Sequence, residues 1–106
     1  MNYELKAREL HKLGNTCSNS LYMTFKDDLN LVGEVPKPRS RDGLCGTILT
    51  VEFILKQIGK EDYFDEYKEL FLTQFGYLKC LDLMKNRGKC NDYVGFSAKY
   101  ISNILE

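Results

Sequence analysis

The sequence predicts an all-α bundle of about five mostly antiparallel helices, and three observations carry that expectation. Apolar residues recur at steps of three and four along most of the chain. Gly14, Gly59 and Gly88 stand where those runs stop. No β-hairpin turn separates alternating segments, and no internal repeat is present. At 106 residues the chain reads as a single helical four-cysteine domain over residues 1–106.

The first helix is expected over Asn2 to Leu13, with Leu5, Leu10 and Leu13 apolar and Gly14 as the stop. Asn15 or Thr16 caps the second, whose stripe Cys17, Leu21, Phe25 and Leu29 advances four residues at a time. Residues 30–42 contain both prolines and the basic residues Lys37, Arg39 and Arg41, and read as an exposed loop. Leu44, Ile48, Val51, Leu55 and Ile58 form the core seam of a third helix. Asp62 then caps a long fourth helix reaching about Asn86, with Tyr63, Tyr67, Leu70, Tyr77, Leu81 and Met84 along one side and Phe64, Phe71 and Leu78 widening the stripe. Asn91 caps a last helix that turns Val94, Ile101 and Leu105 inward.

Fifteen basic residues balance fifteen acidic ones, which removes the electrostatic ground for nucleic-acid binding or a polybasic membrane anchor. The chain begins with charged residues and holds no apolar run near the ~20 residues of a membrane span, so a cytoplasmic location is expected. No phosphate-cradling glycine loop, dinucleotide fingerprint or calcium loop occurs. With His11 alone, and in the last turn of the first helix where a cation suits the dipole, no nucleophile–base pair for hydrolysis can be named.

The four cysteines are the anomaly. Cys17, Cys45, Cys80 and Cys90 form no Cys-x-x-Cys pair and no zinc-finger spacing, so any shared site is assembled by the fold. In a reducing compartment such residues point to redox chemistry or metal ligation rather than structural disulfides. Cys17, Cys45 and Cys90 each fall at or beside an expected helix N-terminus, where free N–H groups and the dipole favour a thiolate. Cys80 is expected inside the long fourth helix. The plain alternative is packing, since free cysteine often fills a core as a small hydrophobe, and Cys17 continues the stripe of Leu21 and Phe25. Glu52, on the side of the third helix that carries Cys45, is a candidate proton carrier for a thiol couple, against the plain reading of a surface carboxylate. Tyr22, Tyr77 and Tyr93 are candidates to line a small-ligand pocket, against core packing.

The segments Asn15-Thr16-Cys17-Ser18, Gly43-Leu44-Cys45-Gly46-Thr47, Lys79-Cys80-Leu81 and Cys90-Asn91-Asp92 follow one another in a recognisable order. They resemble the C_GCAxxG_C_C family of redox-active bacterial proteins, named for its four-cysteine pattern. The resemblance implies a small helical protein whose four cysteines serve redox or metal-cluster chemistry together. Cys17, Cys45, Cys80 and Cys90 would act as redox thiols, or would hold zinc or an iron–sulfur cluster. Gly46 and Glu52 are candidates for contact with such a cofactor. The sequence departs from the pattern around Cys45, where Leu44 and Leu49, or in a shifted reading Thr47 and Thr50, stand in place of small residues. A redox partner protein and a homodimer are the partners this reading admits. The competing reading is a non-enzymatic helical interaction or oligomerisation module, motivated by the wide aromatic stripe of the fourth helix.

Overall fold

The computed structural model describes residues 2–33, 45–79, 83 and 90–105. Over these the chain is an all-α bundle: α1 Tyr3–Lys12, α2 Cys17–Leu29, α3 Gly46–Gln57, α4 Phe64–Phe75 and α5 Cys90–Leu105, with a 3-10 turn at Glu61–Tyr63 leading into α4. Cys80, the basic residues Lys37, Arg39 and Arg41, and Leu44, Leu81, Met84 and Gly88 lie outside the described residues. Among the described residues no helix is long and apolar enough to cross a membrane.

Local chemistry sets the helix ends. Asn2 Oδ1 accepts from Leu5 N at 3.0 Å and starts α1. Gly14 then turns the chain with φ 107°, a conformation that a side chain would oppose. Asn15 closes α1 by donating to the Leu10 carbonyl at 2.7 Å, and Thr16 opens α2 by accepting from Asn19 N at 3.1 Å. Of the two residues expected as the cap of α2, Thr16 takes that place and Asn15 closes α1 instead.

The inward face of α1 is Ala7 with Tyr3 beside it, rather than the apolar set Leu5, Leu10 and Leu13. Leu5 and Leu13 are exposed, because steps of five and three do not keep residues on one helix face whereas steps of four and three do. Arg8 ties α1 to α5. Its guanidinium meets Glu4 at 3.1 Å, Asp92 at 3.0 Å and Asn91 Oδ1 at 3.1 Å. Gly95 leaves the space that this guanidinium occupies, and a Cβ there would overlap it. His11 lies against the Asn91 side chain at 3.3 Å. Asn91 therefore sits inside the first turn of α5 and binds α1, rather than capping α5 as expected.

The expected long fourth helix is broken. Gly76 takes a left-handed conformation at φ 84°, and its N–H closes α4 on the Leu72 carbonyl at 2.7 Å. The chain beyond it runs beside the start of α3, where Cys45 N donates to the Leu78 carbonyl at 3.1 Å. The buried face of α4 is also rotated from the expected one. Tyr67 and Phe71 are fully buried with Phe64 and Phe75 half-buried beside them, while Tyr63, Leu70 and Tyr77 are exposed. Each fully buried ring contributes about 1.5–3 kcal/mol, so the face that buries Tyr67 and Phe71 together is favoured.

The core joins Leu21 and Phe25 of α2, Ile48, Val51, Ile54 and Leu55 of α3, the α4 rings, and Val94, Ala98 and Ile101 of α5. Leu105 is partly exposed at the end of α5, contrary to expectation. Among the described residues six Ser and Thr side chains are buried with these residues: Ser18, Ser20, Thr24, Thr47, Thr50 and Ser97. Ser20, Thr24 and Thr50 donate back to carbonyls four residues earlier, at 2.7, 2.6 and 2.8 Å. Among the described residues no buried polar side-chain atom lacks a partner.

Candidate functional site

Three helix starts carry the site. Cys17 is the first residue of α2, Cys45 is the N-cap of α3, and Cys90 is the first residue of α5. All three are thiols. Cys45 is 3% exposed, whereas Cys17 and Cys90 are half-buried. Free N–H groups and the positive end of each helix dipole lie on this side of the molecule, so negative sulfur is stabilised there.

The Cys17 and Cys45 side chains are hydrogen-bonded to each other. That bond, with Cys17 as donor, is the main reason the Cys45 thiol is pulled down to about 6. Burial opposes the shift; the Thr47 hydroxyl, 2.9 Å from Cys45 Sγ, and the backbone N–H groups of Thr47 and Ile48 reinforce it. Cys17 is pushed far above the ordinary thiol range, first by donating to Cys45, then by burial, then by the negative charge of Cys45 and of Cys90. The contact thus favours the proton on Cys17 and negative charge on Cys45.

A chain of hydroxyls backs the thiolate. Thr47 is bonded to Tyr67, and Tyr67 Oη lies 2.6 Å from Ser97 Oγ. The single Thr47 proton serves either the sulfur or Tyr67, and either oxygen of the Tyr67–Ser97 contact donates. Four structural elements thus place hydrogen-bonding groups in line: α5, α4, α3 and, through Cys17, α2. Burial is the main cause that pushes the Tyr67 phenol up and keeps it a neutral donor.

The other expected residues fall elsewhere. Gly46 is buried, and its carbonyl accepts from Ser18 Oγ at 3.3 Å and Thr50 Oγ1 at 2.8 Å, which stitches α2 to α3. Glu52 is half-buried, about two turns further along α3. Tyr22 donates to the Gly33 carbonyl at 3.0 Å, Tyr77 is exposed and Tyr93 packs on Phe71 and Phe75, so these three line no common pocket. A surface groove of about 640 Å³ between α1, α4 and α5 is lined by Arg8, Phe75, Phe96 and Tyr100 and by none of the cysteines.

Sequence reasoning missed Thr47, Tyr67 and Ser97 as parts of the site. Thr47 had a legible signal, since a hydroxyl two residues past an N-cap side chain lies beside it on the first turn. Tyr67 and Ser97 reach the site only through the packing of α4 on α5. As for metal, no three His, Cys, Asp or Glu side chains among the described residues are grouped to hold an ion. No protein-family model, no curated protein and no solved structure matches the chain.

Proposed function

We propose that this chain is a redox-active thiol protein in which Cys17 and Cys45 form a dithiol–disulfide couple. The observation that carries this reading is that two helix starts bring half-buried Cys17 against buried Cys45, whose sulfur lies 2.9 Å from the Thr47 hydroxyl. On oxidation two electrons leave the pair, the Cys17 proton is released and a sulfur–sulfur bond forms. Cys90, close enough for its charge to act on Cys17, is the thiol placed to exchange with Cys17 and pass the disulfide toward a redox partner. In the C_GCAxxG_C_C reading Cys80 completes the set, and the reduced form belongs in a reducing, cytoplasmic setting.

Redox titration of the full chain in glutathione buffers, with thiol counting and disulfide mapping, tests the proposal. Wild type should show one two-electron transition mapping to Cys17–Cys45. Cys17→Ser and Cys45→Ser should lose it, and Cys80→Ser and Cys90→Ser should keep it. Four free thiols at every potential would overturn the couple. Stoichiometric zinc or iron in protein purified without oxygen would move the reading to a metal centre. The interaction-module reading draws on Tyr63, Leu70 and Tyr77, which α4 leaves exposed. It predicts that a variant lacking all four cysteines keeps every measurable property.

A further inference from the structure

The two sulfurs of the pair differ in what can reach them. Cys45 is 3% exposed, at the N-terminus of α3 with the Thr47 hydroxyl 2.9 Å from its sulfur, while Cys17 is half-buried. A nucleophile that deep admits a small electrophile and excludes the sulfur of a bulky disulfide. A reductant faces the opposite geometry, since it needs only the outer sulfur. Resting on the dithiol reading above, we propose that the oxidant is a small hydroperoxide reacting at the Cys45 sulfur, and that the reductant is a larger thiol entering at Cys17.

In the oxidising half, the Cys45 thiolate attacks the terminal oxygen of the peroxide. A sulfur–oxygen bond forms, the oxygen–oxygen bond breaks, and the thiolate supplies both electrons. The leaving alkoxide takes the Cys17 proton. Cys17, now a thiolate beside the Cys45 sulfenic acid, displaces hydroxide, which takes a proton from solvent and leaves as water. The sum is one thiol, one thiolate, one hydroperoxide and one proton giving a disulfide, an alcohol and water.

In the reducing half, an external thiolate attacks Cys17 Sγ and Cys45 departs. The thiol that ionises most readily leaves fastest, and here that is the sulfur held by Thr47 and by the N-terminus of α3. A second external thiol frees Cys17 and carries the disulfide away. The hydroxyl chain Thr47–Tyr67–Ser97 serves both halves by keeping a hydroxyl beside Cys45 Sγ.

The test uses reduced full-length wild type without oxygen. Hydrogen peroxide should form the Cys17–Cys45 disulfide at least about tenfold faster than glutathione disulfide at equal concentration. In Cys17→Ser, dimedone added with peroxide should label Cys45. When oxidised wild type is quenched during reduction by glutathione, the adduct should sit on Cys17. Glutathione disulfide matching peroxide in rate, dimedone on Cys17 or Cys90, or glutathione on Cys45 would each overturn the assignment while leaving the couple intact. Failure of both oxidants to form a Cys17–Cys45 disulfide in wild type would instead remove the couple itself. The wild-type measurements hold whether or not the serine variant folds.

Discussion

Around Phe71 the core is made of rings, with Tyr67, Phe75, Tyr93 and Phe96 all packed on it at centroid distances between 4.8 and 6.0 Å. Around Cys45 it is made of small polar groups, with Cys17, Thr47 and the α3 N-terminus facing one sulfur. The ring region is held mainly by area and dispersion, with the Tyr67 hydroxyl bonded to Ser97 at its edge. The sulfur region buries charge, and stays stable only because each polar atom meets a partner. The contrast teaches that this small domain stores its stability and its reactivity in neighbouring but different materials.

The largest break should come in the ring region. Phe71→Ala removes the ring at the centre of that cluster and leaves a cavity, at a cost of about 3–5 kcal/mol. A domain of this size has roughly 5–15 kcal/mol to lose, so urea denaturation should show a severely lowered midpoint. The thiolate should survive wherever the variant still folds. Loss of the thiolate in folded Phe71→Ala would mean that the two regions are not separable.

A second expectation sharpens the sulfur side. Between about 6 and the ordinary thiol value of 9.0 the unfolded chain holds both protons of the pair, while the folded chain has released one. The unfolded state binds more protons there, so stability rises with pH across that window, by at most about 4 kcal/mol. Above 9.0 the unfolded chain sheds both protons while folded Cys17 keeps its own, and stability falls again. Denaturation midpoints of reduced protein against pH should therefore pass through a maximum near the ordinary thiol value. Thr47→Val removes the 2.9 Å donor to Cys45 and should move thiolate formation upward by roughly one pH unit, read from ultraviolet thiolate absorbance. A flat profile with an unmoved midpoint would show that the pair holds no shared proton.

The smallest effect tests a contact outside both regions. Gly95→Ala forces Arg8 out of its place across α5 and should cost about 1 kcal/mol in wild type. In an Arg8→Ala background the same change should become neutral or favourable, because alanine is the better helix former by about 1 kcal/mol. An equal cost in both backgrounds would place the penalty somewhere other than the guanidinium.

Much of this was legible in the chain and some was not, for reasons that differ residue by residue. Leu21, Phe25, Ile48, Val51 and Leu55 were readable as core because they repeat on one face. The cysteines at helix starts were readable because Gly14 and Thr16 mark where α2 begins. Gly76 was not read as a stop, since aromatic residues continue on both sides and only its left-handed backbone distinguishes it. The α4 face was misjudged because that helix is aromatic on more than one side, and packing on α5 decided between them. The Cys17–Cys45 pairing joins residues far apart in sequence, and no local spacing encodes it.

Tyr67 belongs to both materials, a ring stacked among rings and a hydroxyl between Thr47 and Ser97. A lineage drifting at this position would alter folding and sulfur reactivity in one step. Thr47 and Ser97 sit outside the ring cluster, so they are the dials by which the chemistry could be retuned while the scaffold is inherited unchanged.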